Sequence, residues 1–405
     1  MSATAPPSVS ASIRTILPLA FVTGVSMAAM DLYLPAVPAL QLGLGVSVAM
    51  AQATIAVYLA GLAGAQLLWG ELLNRLGPRR CMEVGLALLA LTSLGCALAP
   101  NIEMLLVMRL LQGVAAAAAT VVAPTVVRAT LGDADVVRGI AAISMVEAIV
   151  PAAGPVLGAL LLRVTDWRGT FWVLAGLSLL VLPWVVKIAP RRLPGLNLAH
   201  DAGYRGIVTN RSYLRLAGSH ALCIGALLTF LASAPQLLQH TLGLGTGAFA
   251  ALQVMGVSAF MLGASQSGRL AQRLGHARVV QWGCGVQVVA CMLALGVTLV
   301  WGQPPYAVVA AYWVSFCGAL AIRGPATFGD ALALPPALMG RATALLVLAL
   351  LAAGSVGTQL VAPFMGHADS AAPLFGSVLL MLVASAALVW PYPAVPRAGQ
   401  AMAAA

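Results

Sequence analysis

The sequence predicts an all-α integral membrane protein with twelve transmembrane helices in two six-helix halves. Three observations carry this reading. Of 405 residues, 61% are hydrophobic and only 8% charged, with a mean hydropathy of +0.97; a soluble domain is about half apolar and a quarter charged. The apolar residues gather into runs near the roughly 20 residues that cross a ~30 Å hydrocarbon core. Finally, the polar connections between the runs alternate in charge, as they do when successive loops lie on opposite sides of a bilayer.

In chain order the spans fall near 14–34, 48–69, 81–99, 103–127, 138–162 and 168–188, then near 214–236, 247–267, 278–300, 305–325, 339–362 and 373–392. Turn chemistry separates them at Leu34-Pro35, Leu76-Gly77-Pro78, Ala99-Pro100-Asn101, Gln303-Pro304-Pro305 and Pro335-Pro336. The first run follows a short Ser/Ala/Pro tail and Arg14, as a signal peptide would. It continues to about Leu34 without a small-residue cleavage site, and so reads as a retained first span.

Loops after spans 1, 3, 7, 9 and 11 carry no Lys or Arg. The alternate loops hold Arg75, Arg79 and Arg80, then Arg128 and Arg138, then Arg269, Arg273 and Arg278. The loop after span 5 breaks the pattern with Arg163 and Arg168, partly compensated by Asp166. The positive-inside rule places the basic loops and both termini in the cytoplasm, for a multi-pass protein of a bacterial inner (cytoplasmic) membrane. The longest polar stretch, 189–212, is then a cytoplasmic central loop between an N-terminal half (1–188) and a C-terminal half (213–405). The halves echo each other. Gly70-Glu71-Leu72-Leu73-Asn74-Arg75-Leu76-Gly77 and Gly268-Arg269-Leu270-Ala271-Gln272-Arg273-Leu274-Gly275 share the frame G-x-L-x-amide-R-L-G at the same place in each half. Two six-helix repeats with a midplane site between them are a transporter architecture.

Several function classes are set aside. The net charge of +10 sits at span ends and in short loops, which is topology-setting charge beside an anionic leaflet; no nucleic-acid partner is expected. Cys81, Cys96, Cys223, Cys284, Cys291 and Cys317 mostly fall in apolar runs without a C-x-x-C pair, and the five histidines form no ligand spacing. No metal, cofactor or catalytic residue is therefore expected, and the soluble parts are too short for a catalytic domain. A membrane sensor or enzyme is the remote alternative.

Four motifs identify the transporter more closely. Residues 70–80 match G-x-L-a-D-R-x-G-R-[RK] at Gly70, Leu72, Arg75, Gly77, Arg79 and Arg80, with Asn74 in place of the Asp. Span 4 carries Arg109-Leu110-Leu111-Gln112-Gly113, an R-x-x-Q-G pattern, and span 5 carries Gly154-Pro155-Val156-Leu157-Gly158, a G-P-x-x-G pattern. Met30-Asp31-Leu32-Tyr33-Leu34-Pro35-Ala36-Val37-Pro38 ends the first span. In these the chain resembles the major facilitator superfamily, and within it drug:proton antiporters of the Bcr/CflA type, including phenicol exporters. The resemblance is specific over the first half. It implies the major facilitator fold, a gating loop at 70–80, a tight span 5 interface that limits leak, a small-molecule substrate exchanged for protons, and function as a monomer in the bilayer.

The same residues have physical readings of their own. Arg109 and Gln112 share a helix face, and a guanidinium in hydrocarbon costs at least ~2.5–3.5 kcal/mol, so it must face protein. It either lines the substrate cavity and relays charge or bonds carbonyls of a neighbouring helix. Asp31, one turn before Pro35 near the expected outer end of span 1, either exchanges a proton as the site opens or caps the helix end. Glu147, Pro151, Gly154 and Gly158 fall at i, i+4, i+7 and i+11 on one face of span 5. There Glu147 is a candidate for proton or cation binding, or a protonated acid bonded to a neighbour. Pro151 and Pro155 bend the helix, while the glycines allow close packing. Arg323, near the inner end of span 10, either pairs with Asp330 or anchors a loop, the second being the favoured reading. Trp167, Trp172, Trp184 and Trp390 suit an interfacial belt, and Met27 and Met30 could contact an apolar drug. With Asn74 neutral, Glu71 is the candidate replacement anion of the gating loop. The expected function is proton-coupled export of drug-like or other small amphipathic compounds by alternating access, with proton-coupled import of a metabolite as the alternative.

Overall fold

A computed structural model describes residues 9–130, 143, 146, 149–151, 153–191, 205–334, 336–365 and 370–393. Glu147, Arg138 and most of the 189–212 segment lie outside the described residues, as do the side chains of Asn74 and Arg128. The described chain is helical: α1 (Val9–Asp31), α2 (Val37–Leu44), α3 (Val48–Ala97), α4 (Ile102–Thr130), α5 (Ile149–Leu161), α6 (Arg168–Ile188) and α7 (Arg205–Val208). There follow α8 (Arg211–Gln236), α9 (Thr246–Leu274), α10 (His276–Trp301), α11 (Tyr306–Ala331), α12 (Pro336–Met365) and α13 (Ala372–Leu388). Among the described residues, ten segments are long and apolar enough to span a membrane, and the shorter apolar α5 and α13 complete the expected order of twelve.

Span 1 does not stop at Pro35. Leu34–Ala36 forms a 3-10 turn with the proline at its start, where no amide donor is required. Ala36 donates to the Tyr33 carbonyl at 2.8 Å and Tyr33 to Met30 at 3.2 Å, so the axis is carried on into α2. The span therefore runs Ile16–Leu44, and Asp31 sits inside it rather than near its end.

Spans 2 and 3 meet inside α3 at Gly77, whose φ of 78° and ψ of 164° turn the chain in one residue. Gly275, between α9 and α10, repeats this turn with φ 81° and ψ 155°. A side chain is strongly disfavoured in that region, so the glycine that closes each copy of the repeated frame is required by its backbone.

The chain forms two compact units, Met1–Leu44 with Ala60–Leu198, and Gly45–Leu59 with Ala199–Ala405. In the first, α1 packs on α4 and α6, and glycines bring backbones together. A Cβ at Gly61 would stand 2.2 Å from the Leu110 carbonyl oxygen, and one at Gly85 would stand 2.4 Å from Ala118. In the second, α8 packs on α12 and α13 while α11 packs on α9 and α10. Gly225 faces Ala353 and Met381, and Gly263 faces the Gly318 carbonyl. Small residues at helix contacts are what association in lipid demands, because apolar burial alone gives helices no drive to pair there.

Leu180, Leu262, Trp282 and Leu380 are each 71% exposed, an apolar surface that suits lipid. Trp172, Trp184 and Trp390 are exposed as an interfacial belt requires, but Trp167 is buried. Its ring packs edge-on against Phe171, and Arg168 lies 4.1 Å above it. Its neighbour Gly43 leaves it room, since a Cβ there would meet the indole nitrogen at 3.1 Å.

Candidate functional site

In the first unit the structure brings Arg109 and Gln112 of α4 against the end of α1. Arg109 is fully buried. Its Nη1 donates to the Ala29 carbonyl at 3.0 Å and to Gln112 Oε1 at 2.5 Å. Gln112 Nε2 in turn donates to Ser93 Oγ at 2.8 Å, and Ser93 to the Leu89 carbonyl at 2.6 Å. The guanidinium carbon lies 4.5 Å from the centre of the Tyr33 ring and 5.8 Å from that of Phe171. A cation over aromatic faces gains about 2 kcal/mol or more once desolvated. Carbonyl, amide and rings together stabilise a charge that hydrocarbon would reject.

Asp31, two residues beyond the carbonyl that Arg109 holds, is 5% exposed. Among the described residues, no hydrogen bond or ion pair holds its carboxyl group. The helix end around it is gripped by α5. A Cβ at Gly154 would stand 2.6 Å from Asp31 Cβ, and one at Gly158 would stand 2.3 Å from the Leu32 carbonyl oxygen and 3.2 Å from Pro35. The G-P-x-x-G motif of span 5 thus seats on the bend that carries Asp31, with Pro155 between the two glycines; Pro151 lies one turn earlier. Because the Gly158 contact is with backbone, Gly158→Ala is expected to push α5 off the bend, at about 1–3 kcal/mol. A lower melting temperature of the purified protein than in Gly64→Ala, where a Cβ meets nothing within 4 Å, would show it.

The 70–80 loop is built differently from a set of free charges. Arg75 Nε donates to Glu71 Oε1 at 2.8 Å one turn earlier, and Arg79 Nε donates to Glu83 Oε1 at 3.0 Å one turn later. Both are pairs four residues apart on helices, worth about 0.3–0.5 kcal/mol. The Arg79 amide reaches the Pro190 carbonyl at 3.2 Å, Arg80 is exposed, and Gly70 has open space around it.

A second buried guanidinium lies in the second unit, where sequence reasoning expected a loop anchor. Arg323 of α11 is fully buried and does not pair with Asp330. Its Nη2 donates to Ser219 Oγ of α8 at 2.7 Å and to Ser385 Oγ of α13 at 3.2 Å, and its Nη1 to Gln287 Oε1 of α10 at 3.0 Å. Ser385 also donates to the Ser219 carbonyl at 2.7 Å. Gly283 makes the approach possible, since a Cβ there would stand 2.7 Å from Arg323 Cβ. Four helices therefore share one cation through neutral acceptors. The signal available in sequence was the placement of Gln287, Ser219 and Ser385 within apolar spans.

Arg109 and Asp31 are thus brought to one helix end with the span 5 glycines, while Glu147 lies outside the described residues. Among the described residues, no three His, Cys, Asp or Glu side chains stand together as a metal site would need.

Comparison with known proteins agrees with this architecture. A family model described as Major Facilitator Superfamily matches residues 19–358. Multidrug resistance protein MdtL of Escherichia coli O157:H7 is 30% identical over 230 residues, covering 56% of this chain and 59% of that protein. MdtL of Escherichia fergusonii gives the same identity and coverage. The match therefore extends over about three fifths of the length of these relatives. Among solved structures, a bacterial homolog of the human lysosomal transporter Spinster superposes with a TM-score of 0.75 at 13% identity, over 95% of this chain and 97% of that one. The xylose transporter XylE from E. coli gives 0.74 at 13%, over 95% and 98%. At such identities the likeness speaks for the fold alone. With the family matched over most of its length, this chain belongs to the Major Facilitator Superfamily and is a multi-pass membrane transporter, not an enzyme.

Proposed function

We propose that the protein exports small, drug-like or otherwise amphipathic compounds from the cytoplasm in exchange for protons. The observation that carries this is Asp31: an acid inside a span, buried, held by no described partner, and two residues from the carbonyl that fixes Arg109. An acid in that setting can be neutral when closed off and ionised when opened to water, which is what coupling a proton to alternating access requires. The α5 glycines support the reading, because they let α5 pack closely on the bend that carries Asp31. Similarity to proteins named for multidrug resistance supports the substrate class.

In this reading the halves 1–188 and 213–405 are joined by a cytoplasmic loop at 189–212. Both termini are cytoplasmic, the membrane is the bacterial inner membrane, and the monomer is the working unit. A resistance and accumulation screen in a pump-deleted bacterial host tests the proposal. Expression is expected to lower accumulation of one or more amphipathic compounds, and an uncoupler to restore it. Accumulation that rises on expression and falls with uncoupler would instead identify a proton-driven importer.

A further inference from the structure

The chain leaving α13 is held by a set of polar contacts that the transport site does not use. Arg215 of α8 donates through Nε to the Leu388 carbonyl at 2.8 Å and through Nη2 to the Pro391 carbonyl. Gln281 of α10 donates to the Val389 carbonyl at 3.3 Å. Tyr392 then donates its hydroxyl to Asp330 Oδ2 at 2.7 Å, and the other carboxylate oxygen of Asp330 meets His276 Nδ1 at 2.8 Å. Segment 388–392 is thereby tied to three helices of the second unit.

Asp330 is the acceptor through which Tyr392 joins this tie. Its side chain is 14% exposed, and no lysine or arginine among the described residues forms an ion pair with it. Its one basic partner is His276, which is 53% exposed and open to the bulk proton concentration. We propose that His276, Asp330 and Tyr392 form a proton-sensitive latch that fastens the segment after α13 to the second unit of this transporter.

The sign follows from the charges. Histidine changes charge between about pH 5 and pH 8. Protonated, His276 gives Asp330 a full counter-charge and a charge-assisted hydrogen bond, roughly twice as strong as a neutral one. Neutral, it leaves a partly buried carboxylate with hydrogen bonds alone. The latch is therefore tight in acid and looser in base. Other charged groups around it keep their charge across this range. These are Arg278 in the first turn of α10, Arg323 on α11 engaged by Ser219 and Gln287, and Arg215 on α8 engaged by the carbonyls; the Cys284 thiol of α10 also neighbours Tyr392. Tyr392 remains a donor throughout, since burial and then its bond to Asp330 push its phenol far above the ordinary range.

Where this end of the unit faces the cytoplasm, as in the proposed export topology, the latch answers to cytoplasmic pH.

The structural claim is tested without substrate or gradient, so its outcome is independent of whether Asp31 carries the proton. All six native cysteines are buried, whereas Trp390 is 68% exposed in the middle of the held segment. A nitroxide attached through Trp390→Cys in the full chain is read by electron paramagnetic resonance between about pH 5 and pH 8. The label is expected to be immobilised in acid and to gain mobility as pH rises. His276→Gln and Asp330→Asn are expected to give the mobile spectrum at every pH, and His276→Arg the immobilised one. A spectrum independent of pH in the otherwise native chain, or a pH response that survives in both His276→Gln and Asp330→Asn, overturns the latch.

Discussion

Asp31→Asn is expected to insert, fold and bind substrate, yet to move it no faster under a pH gradient than protein-free vesicles do. An amide has the volume of a carboxyl group, so the close packing of Asp31 on Gly154 is undisturbed. No described partner is lost either, because none holds the carboxyl group. What disappears is the ability to take up and release a proton inside the span. Substrate binding to purified protein and pH-driven efflux from proteoliposomes should therefore separate in this variant. If both persist at native level, Asp31 carries no proton and coupling must be sought elsewhere, with Glu147→Gln the next variant to measure. Arg109→Lys should impair transport too, because an ammonium cannot replace a planar fork that holds Ala29 and Gln112 together.

The second large effect is expected at the four-helix node around Arg323, with an order that intuition reverses. Ser219→Ala combined with Ser385→Ala strips two acceptors from a charge that stays buried, at a cost on the order of 3–5 kcal/mol. Arg323→Met removes the charge together with its need for acceptors, and Ser219 and Ser385, 3.0 Å apart, can still bond each other. Replacing a buried ion by an apolar residue of similar length is often close to neutral. Thermal unfolding of the purified variants should thus rank the serine pair well below Arg323→Met. The opposite ranking would mean that the guanidinium binds its helices more strongly than its desolvation costs.

Much of the architecture was legible because the bilayer imposes simple rules on the chain. Apolar run length, loop charge and turn residues gave the spans in order, and the charged motifs pointed to Arg109 and Asp31. What escaped had local causes. Pro35 reads as a stop, but a 3-10 turn has use for a residue without an amide donor, and Asp31 was placed too shallow as a result. Trp167 reads as a belt residue, yet Phe171 one helical turn away and the open face of Gly43 draw it inward. The partners of Arg323 stand 36, 62 and 104 residues away. Asp330, seven residues along the same helix, was the nearer and wrong choice. Separation in sequence hides such contacts, since no local pattern encodes which neutral acceptors a buried cation will meet.

The one-residue turns at Gly77 and Gly275 have an electrostatic consequence. With no slack in the connection, the basic side chains that mark the membrane border stand in the opening turns of the helices that follow: Arg79 and Arg80 after Pro78, His276 and Arg278 at the start of α10. Aligned peptide dipoles leave about half a positive charge at a helix start, where a cation is disfavoured by roughly 0.3–1 kcal/mol. In each unit an acid stands beside one of these basic side chains. Glu83 comes from the same helix to Arg79, and Asp330 crosses from α11 to His276. These acids are counterweights to the helix dipole, made necessary by turning the chain so sharply at the point where its positive charge has to be kept.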